Sequence, residues 1–157
     1  MPRPTLPKTP QSDSWFRTAA KGVTWLNVAL FRATKGRVGG GVGRARILVL
    51  HHVGRKSGAA RETPLLYLAD GPDRLVIVAS KGGVDQHPAW FHNLMAMETT
   101  EVELPGGERR RVAPRLASAE ERDAYWPRLV HAYPPFESYR RATTRTIPLV
   151  VLEGRQT

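Results

Sequence analysis

Residues 51 to 81 read HHVGRKSGAARETPLLYLADGPDRLVIVASK, and the rest of the chain is organised around them. Two apolar runs, Thr63 to Leu68 and Leu75 to Ala79, are joined by Asp70-Gly71-Pro72-Asp73, which is typical of a hairpin turn. Cations and hydroxyl groups stand at both ends of the ribbon, because Gly-Arg-Lys-Ser-Gly precedes it and Ser80-Lys81 follows it. The pattern predicts an antiparallel ribbon whose ends suit a polyanionic ligand.

Further strands are expected on both sides of this hairpin. Arg46 to His52 forms the first predicted strand, and its apolar run should be buried on both faces. A second hairpin is expected from Thr99 to Leu104 and Glu108 to Leu116, and Ile147 to Leu152 completes the sheet. Because strands and helices do not alternate regularly, the sequence predicts an α+β, mainly β protein rather than a parallel doubly wound sheet. We expect an antiparallel β-barrel of about six strands, closed or split, with peripheral helices.

Helices are expected before, between and after the hairpins. Apolar residues at steps of three or four predict an amphipathic helix from residue 12 to about 34. Pro88 suits the first turn of a second helix, and Ser118 to Glu121 is a capping-box pattern that begins a third. Pro127 is expected to kink or divide that third helix, and a short helical segment follows Pro135.

These elements predict a single domain with an N-terminal extension. Residues 1–11 contain four prolines and are expected to be a disordered leader. Residues 12–43 would form the amphipathic helix and a glycine-rich connector, which lacks the Gly-Lys-Ser/Thr ending of a phosphate-binding P-loop. Residues 44–154 would form the barrel.

The formal net charge of +10 is unevenly distributed. Residues 1–61 hold twelve lysines and arginines against Asp13 alone, whereas residues 62–157 hold twelve against thirteen acids. The N-terminal part and the turn around Arg55 are therefore expected to attract an anionic ligand or surface. The predicted N-terminal helix packs on the core in the simpler interpretation, and in the alternative it also rests on an anionic membrane surface.

Composition excludes several classes of protein. The chain has no cysteine, so disulfides, thiolate metal sites and a thiol nucleophile are excluded, in agreement with a reducing cytoplasm. No apolar run reaches the roughly 18 residues of a membrane-spanning helix, which predicts a cytoplasmic protein, soluble or peripheral on the inner face of the membrane.

The sequence favours neither a metal site nor nucleic-acid binding. His51 and His52 are adjacent on a predicted strand and should point to opposite faces, so they are not expected to share an ion. His87 and His92 lack a metalloprotease pattern. The aromatic residues beyond Trp90 lie among acids, which is unfavourable for base stacking.

Several motifs together resemble one family. The segments GRKSG, R-x-TPLLYL, VIVASKGG, HPAWFHNL, AEERDAYWPRLVHAYPPFESY and TIPLVVLE follow one another from about residue 44 to 153. In this order they resemble the deazaflavin-dependent nitroreductase family of actinobacteria. The resemblance implies a split β-barrel of the flavin-reductase type that binds coenzyme F-420. It also implies an oxidoreductase that passes hydride from the reduced coenzyme to a small-molecule electron acceptor such as a quinone or a nitroaromatic compound.

The resemblance also assigns residues to the coenzyme. Those expected to hold its phosphate and glutamate tail are Arg55, Lys56, Ser57 and Arg61. The barrel strand expected to line it contributes Thr63, Pro64, Leu65 and Leu66, where some members have an aromatic residue at the last position. Those expected to enclose the ring system and ribityl chain are Ala79, Ser80, Lys81, Ala89, Trp90 and Phe91.

Three further residues are expected to face the acceptor. They are Tyr133, Phe136 and Tyr139, and the middle one lacks the hydroxyl of the family's tyrosine. Ser80 and Tyr133, with Tyr139 beside them, are the candidate catalytic residues that orient or protonate the reduced acceptor. Two alternatives stay open: a deazaflavin carrier without turnover, and a reductase that binds FMN instead.

Overall fold

The computed structural model describes residues 28–35, 41–42 and 45–154. The predicted leader, most of the predicted N-terminal helix and most of the glycine-rich connector lie outside these residues. Helix α1 (residues 28–33) is the described part of the N-terminal helix.

Seven strands form one antiparallel sheet in the described part of the chain. The strands are β1 Gly41–Val42, β2 Ala45–Val53, β3 Ala60–Asp70, β4 Arg74–Val78, β5 Thr100–Glu103, β6 Arg109–Leu116 and β7 Leu149–Gly154. Their order is β1-β2-β3-β4-β7-β6-β5, and an additional pairing of β2 with β5 closes six of them into a barrel. The predicted antiparallel barrel of about six strands is confirmed.

Three helices follow α1 and a short 3-10 turn at Lys81–Gly83. They are α2 Ala89–Met95, α3 Ala119–Ala132 and α4 Pro135–Ala142. The capping box is confirmed, because Ser118 Oγ accepts from the Glu121 N–H and the Glu121 carboxylate accepts from the Ser118 N–H. Helix α3 is continuous through Pro127, so the proline does not divide it. The buried side chains of Tyr125 and Leu129 hold both flanks of the proline against the barrel wall.

Alternating side chains place the core on two sides of the sheet. On β4, Leu75 and Ile77 face the barrel interior, while Val76 and Val78 face an outer cluster that is covered by α3 and α4. Strand β2 is also buried on both faces, as its apolar run predicts. Leu48 and Leu50 point into the barrel, and Val49 packs against α1.

Candidate functional site

A tight turn between β2 and β3 carries the cations predicted to bind the coenzyme. We call residues 54–61 the basic turn. The Gly54 N–H donates to Ala59 O at 2.9 Å and the Gly58 N–H to Gly54 O at 2.7 Å, while Gly58 adopts a φ of +69°. Arg55, Lys56 and Arg61 are exposed on it. The turn is therefore a fixed scaffold that presents charge to solvent.

These three cations have no carboxylate partner among the described residues. Most other described arginines do form ion pairs: Arg32, Arg74, Arg109, Arg110, Arg115, Arg128, Arg140 and Arg141. Four other described arginines also lack one, but they lie far apart in the sequence: Arg46, Arg111, Arg122 and Arg145. The basic turn thus concentrates uncompensated positive charge within seven residues, which is the electrostatic requirement of a polyanion site.

Two buried polar residues connect the basic turn with helix α2. The Arg55 N–H donates to Asn93 Oδ1 at 3.1 Å, and Asn93 Nδ2 lies 3.1 Å from His52 Nδ1. His52 Nε2 lies 2.9 Å from Thr63 Oγ1. Burial, then the charges of Arg61 and His51, lower the pKa of His52 below its usual value of 6.5. Sequence reasoning missed the role of both His52 and Asn93.

A second turn follows β4 and carries the predicted reactive residues. We call residues 80–84 the Ser80 turn. Lys81, Gly82 and Gly83 all adopt positive φ values, of 47°, 64° and 82°. Gly83 is required here because a Cβ would lie 2.8 Å from the backbone oxygen of Tyr139. Its φ and this contact fix the turn against α4, and the left-handed backbone of Lys81 costs on the order of 1 kcal/mol.

Arg145 holds the Ser80 turn from the other side, a role that the sequence did not reveal. Its guanidinium donates to the carbonyl oxygens of Ala79, Ser80 and Val84 at 2.8 to 3.2 Å, and to His87 Nδ1 at 2.9 Å. Burial lowers the pKa of the Arg145 guanidinium. Since an arginine cannot accept a hydrogen bond, the His87 Nδ1 atom is the acceptor and its proton sits on Nε2.

The predicted acceptor-facing aromatics cluster on the C-terminal end of α3 and on α4. The rings of Tyr133 and Phe136 meet edge to face with centroids 4.9 Å apart, and the hydroxyls of Tyr133 and Tyr139 lie 3.3 Å apart. The hydrogen bond to Tyr139, then burial, raise the pKa of Tyr133 above its usual 10.0. Phe136 is only 5% exposed in the outer cluster. The two tyrosines therefore carry the polar chemistry of this group.

The remaining predicted coenzyme residues differ in exposure. On β3, Thr63 to Leu66 are half-buried, with Leu65 packed against the barrel interior and Leu66 against the outer cluster. Ser57 Oγ accepts from the Ala59 N–H within the basic turn. The buried residues are Ala79, Ser80, Trp90 and Phe91, whereas Ala89 and Lys81 are exposed.

A separate ionic cluster fastens α1 to the barrel. We call Arg32, His51, Glu62, Glu103 and Arg109 the Arg32 network. Arg32 donates to both carboxylates, and His51 Nε2 lies 2.7 Å from Glu103 Oε1. Hydrogen bonds from Arg32, the largest effect, and from His51 lower the pKa of Glu103 to about 2. His51, Glu62 and Glu103 have the donor atoms of a cation site, but Arg32 already engages the carboxylates.

Comparison with known proteins decides the family. A family model for F420H(2)-dependent quinone reductases matches residues 24–154. The chain belongs to the F420H(2)-dependent quinone reductase family. The matched range includes the basic turn, the Ser80 turn and the tyrosine pair, and the resemblance deduced from the sequence motifs is confirmed.

Related proteins of known name or structure agree. An F420H(2)-dependent quinone reductase from Mycobacterium tuberculosis strain H37Rv is 36% identical over 135 residues, which are 83% of this chain and 89% of the relative. The solved structure of an F420-H2 dependent reductase, FDR-A, matches 68% of this chain and 93% of its own at 34% identity, with a TM-score of 0.62. The solved structure of a domain-swapped dimer matches 90% of this chain and 98% of its own at 30% identity, with a TM-score of 0.64.

No helix among the described residues of this family member is long and apolar enough to cross a membrane.

Proposed function

We propose that this chain binds reduced coenzyme F-420 and uses it to reduce a quinone. The observation that carries the proposal is the basic turn, where Arg55, Lys56 and Arg61 are exposed and have no carboxylate partner among the described residues of a family member. Coenzyme F-420 carries a phosphodiester and several carboxylates, so its charge complements this turn. The donor set fits the coenzyme, because guanidinium and ammonium groups bind such oxyanions through charge-assisted hydrogen bonds.

The proposed roles divide along the site. The basic turn, with Ser57, would hold the phosphate and the glutamate tail, and the β3 residues Thr63 to Leu66 would line the coenzyme. Ala79, Ser80 and Lys81, with the α2 residues Ala89, Trp90 and Phe91, would enclose the ring and the ribityl chain. The bound coenzyme supplies the hydride, and the protein must orient the acceptor and exclude water.

Tyr133 is the proposed proton donor to the reduced acceptor. The phenol is protonated at neutral pH, far below its pKa, and the Tyr139 hydroxyl 3.3 Å away can stabilise the phenolate that forms when Tyr133 gives up its proton. Ser80 is proposed to hydrogen-bond to the developing oxyanion. Quinones are the proposed acceptors because the family model and the named relatives are quinone reductases. Phe136 offers no hydroxyl, so nitroaromatic compounds that need a third hydroxyl are expected to be reduced more slowly.

Titration of the purified protein with coenzyme F-420 tests the proposal, followed by mixing with the reduced coenzyme and a menaquinone analogue. We expect saturable binding that FMN does not displace, and oxidation followed at the coenzyme's absorbance band. Binding without turnover of any quinone or nitroaromatic acceptor would leave the alternative of a deazaflavin carrier. Displacement by FMN would favour the alternative of an FMN reductase, since one phosphate needs fewer cations.

We also propose the location and domain division expected from the sequence. Residues 1–11 would be a leader, residues 12–43 a helix and connector, and residues 44–154 the coenzyme-binding barrel of a cytoplasmic protein. The N-terminal helix would rest on the anionic inner face of the membrane, supported by the basic charge of residues 1–61 and by Leu30, 41% exposed on α1. The protein is expected to cosediment with phosphatidylglycerol vesicles but not with phosphatidylcholine vesicles. Equal cosedimentation with both kinds of vesicle would contradict the proposal.

A further inference from the structure

A directed chain of hydrogen bonds runs from the basic turn to strand β3. It consists of the Arg55 backbone N–H, the Asn93 side chain, the His52 ring and the Thr63 hydroxyl, at successive separations of 3.1, 3.1 and 2.9 Å. His52 and Asn93 are 5% and 7% exposed, so water does not compete for their polar atoms. This chain of hydrogen bonds bridges three elements, β2, β3 and α2, and both of its ends lie at residues proposed to contact the coenzyme.

Chemistry fixes the direction of every bond in this chain. The Arg55 N–H can only donate, so the Asn93 atom that faces it is the carbonyl oxygen and the amide NH2 faces His52. His52 Nδ1 must then accept, which places the ring proton on Nε2, where it donates to Thr63 Oγ1. The Thr63 oxygen is thereby used as an acceptor, and its own O–H is left to donate elsewhere.

The two ends of this series of hydrogen bonds have different effects. Buried polar side chains cost free energy relative to apolar residues that pack equally well, and they are tolerated when every atom is satisfied. Here the chain of hydrogen bonds fixes the backbone of Arg55 at one end and leaves the Thr63 O–H free to donate at the other. The first effect fixes the position of the Arg55 cation, and the second leaves the Thr63 hydroxyl, two residues from Arg61 on β3, as a donor where an oxyanion is proposed to bind.

We propose that His52 and Asn93 are positioning residues of the coenzyme site, which hold the Arg55 backbone and make Thr63 a hydrogen-bond donor to an oxyanion of the bound coenzyme. This inference rests on the proposed function. It requires a neutral His52. Arg61 on β3 and His51 on β2 are the charged or titratable groups that act on the ring, and with burial they disfavour its protonation. Acidification would place a proton on Nδ1 opposite the Asn93 NH2 and break the chain.

Two substitutions at His52 each remove a different hydrogen bond of the series. His52→Asn keeps an acceptor near the Nδ1 position but loses the donor to Thr63, whereas His52→Gln keeps a donor near the Nε2 position but loses the acceptor for Asn93. Each should weaken coenzyme F-420 binding about tenfold, as expected for one directed hydrogen bond to a charged ligand. The acid limb of wild-type binding, below the usual histidine pKa, should be absent from both variants.

A double-mutant cycle supplies the decisive result. Thr63→Val should weaken coenzyme binding about tenfold in the wild-type background but less than about twofold in the His52→Asn background, because Thr63 there has lost its oriented proton. Thermal unfolding of each variant identifies those that fail to fold. An equal loss from Thr63→Val in both backgrounds would overturn the inference.

The ligand-free protein separates this inference from the proposed function. Asn93→Leu should speed hydrogen exchange at the Arg55 amide about tenfold or more while leaving exchange in β7 unchanged. Unchanged exchange at Arg55 would overturn the inference even if the coenzyme binds. Failure of the wild-type protein to bind coenzyme F-420, with Arg55 exchange accelerated as expected, would overturn the proposed function and with it the link from this chain of hydrogen bonds to the coenzyme.

Discussion

His51 and His52 are neighbours on β2, yet the two faces of the strand surround them with opposite chemistry. His51 lies in the Arg32 network, where two carboxylates are matched by arginines at 2.5 to 3.2 Å. His52 lies in a neutral chain that ends at the basic turn, whose cations lack carboxylate partners among the described residues. The first face has satisfied its charges internally, so it stabilises the fold. The second leaves charge for a ligand.

Removing charge from the basic turn should have the largest effect. The Arg55→Ala/Lys56→Ala variant is expected to weaken coenzyme F-420 binding at least about 100-fold, because each lost cation removes a charge-assisted bond to an oxyanion. Equilibrium titration measures this. The matched control, Arg46→Ala/Arg111→Ala, removes two exposed cations without described ion pairs and should change the affinity less than about threefold. Equal losses in both variants would show that only net charge matters.

Breaking the Arg32 network should affect stability and not binding. Glu103→Gln is expected to lower the free energy of unfolding by about 2 kcal/mol, because Arg32 and Arg109 lose a carboxylate whose side chain is only 6% exposed. Urea denaturation measures it, and Glu101→Gln, which removes an exposed partner of Arg109, should cost less than about 0.5 kcal/mol. A loss of coenzyme affinity in folded Glu103→Gln would erase the distinction between the two faces.

Within the ligand-binding region, the phenol of Tyr133 should matter for turnover alone. Tyr133→Phe is expected to lower kcat about tenfold with coenzyme affinity unchanged, because the acceptor loses its proton donor. Steady-state rates with a menaquinone analogue test this. The control is Tyr125→Phe, whose hydroxyl bonds to Asp70 on the outer side of the barrel, and its kcat should match wild type. A normal kcat in Tyr133→Phe would move the proton donor elsewhere.

The smallest expected effect is the acid sensitivity of the Arg32 network. Glu103 has a pKa of about 2 in the folded protein against 4.5 ordinarily, so its stabilising contribution is complete above pH 4.5 and is lost as pH falls towards 2. At pH 4 about 1 kcal/mol of it should already be gone. Urea denaturation at pH 7 and pH 4 should show this extra loss in the wild type and not in Glu103→Gln. Equal losses would assign acid sensitivity to other carboxylates.

Local patterns were sufficient to predict the barrel and the turn that carries the exposed cations. The Asp70 to Asp73 turn, the Ser118 capping box and the two-sided burial of β2 depend on residues close in sequence. The basic turn was also visible, because three cations fall within seven residues. Which partner a histidine, tyrosine or arginine side chain contacts, however, depends on residues that are distant in the sequence.

The missed residues act across long separations. Asn93 reaches His52 over 41 positions and Arg145 reaches Ala79 over 66. Alternation along β2 correctly separates the two histidines, but it does not say which one meets α2 and which one meets α1. The sequence also left open whether Pro127 divides α3, and the helix is continuous because packing on the barrel outweighs one missing hydrogen bond.

The salt dependence of coenzyme F-420 affinity tests most directly whether the basic turn is the polyanion site. Titrations between about 50 and about 500 mM KCl should show affinity falling steeply with salt in the wild type and in Arg46→Ala/Arg111→Ala, and less steeply in Arg55→Ala/Lys56→Ala. The same salt dependence in all three proteins would contradict the assignment.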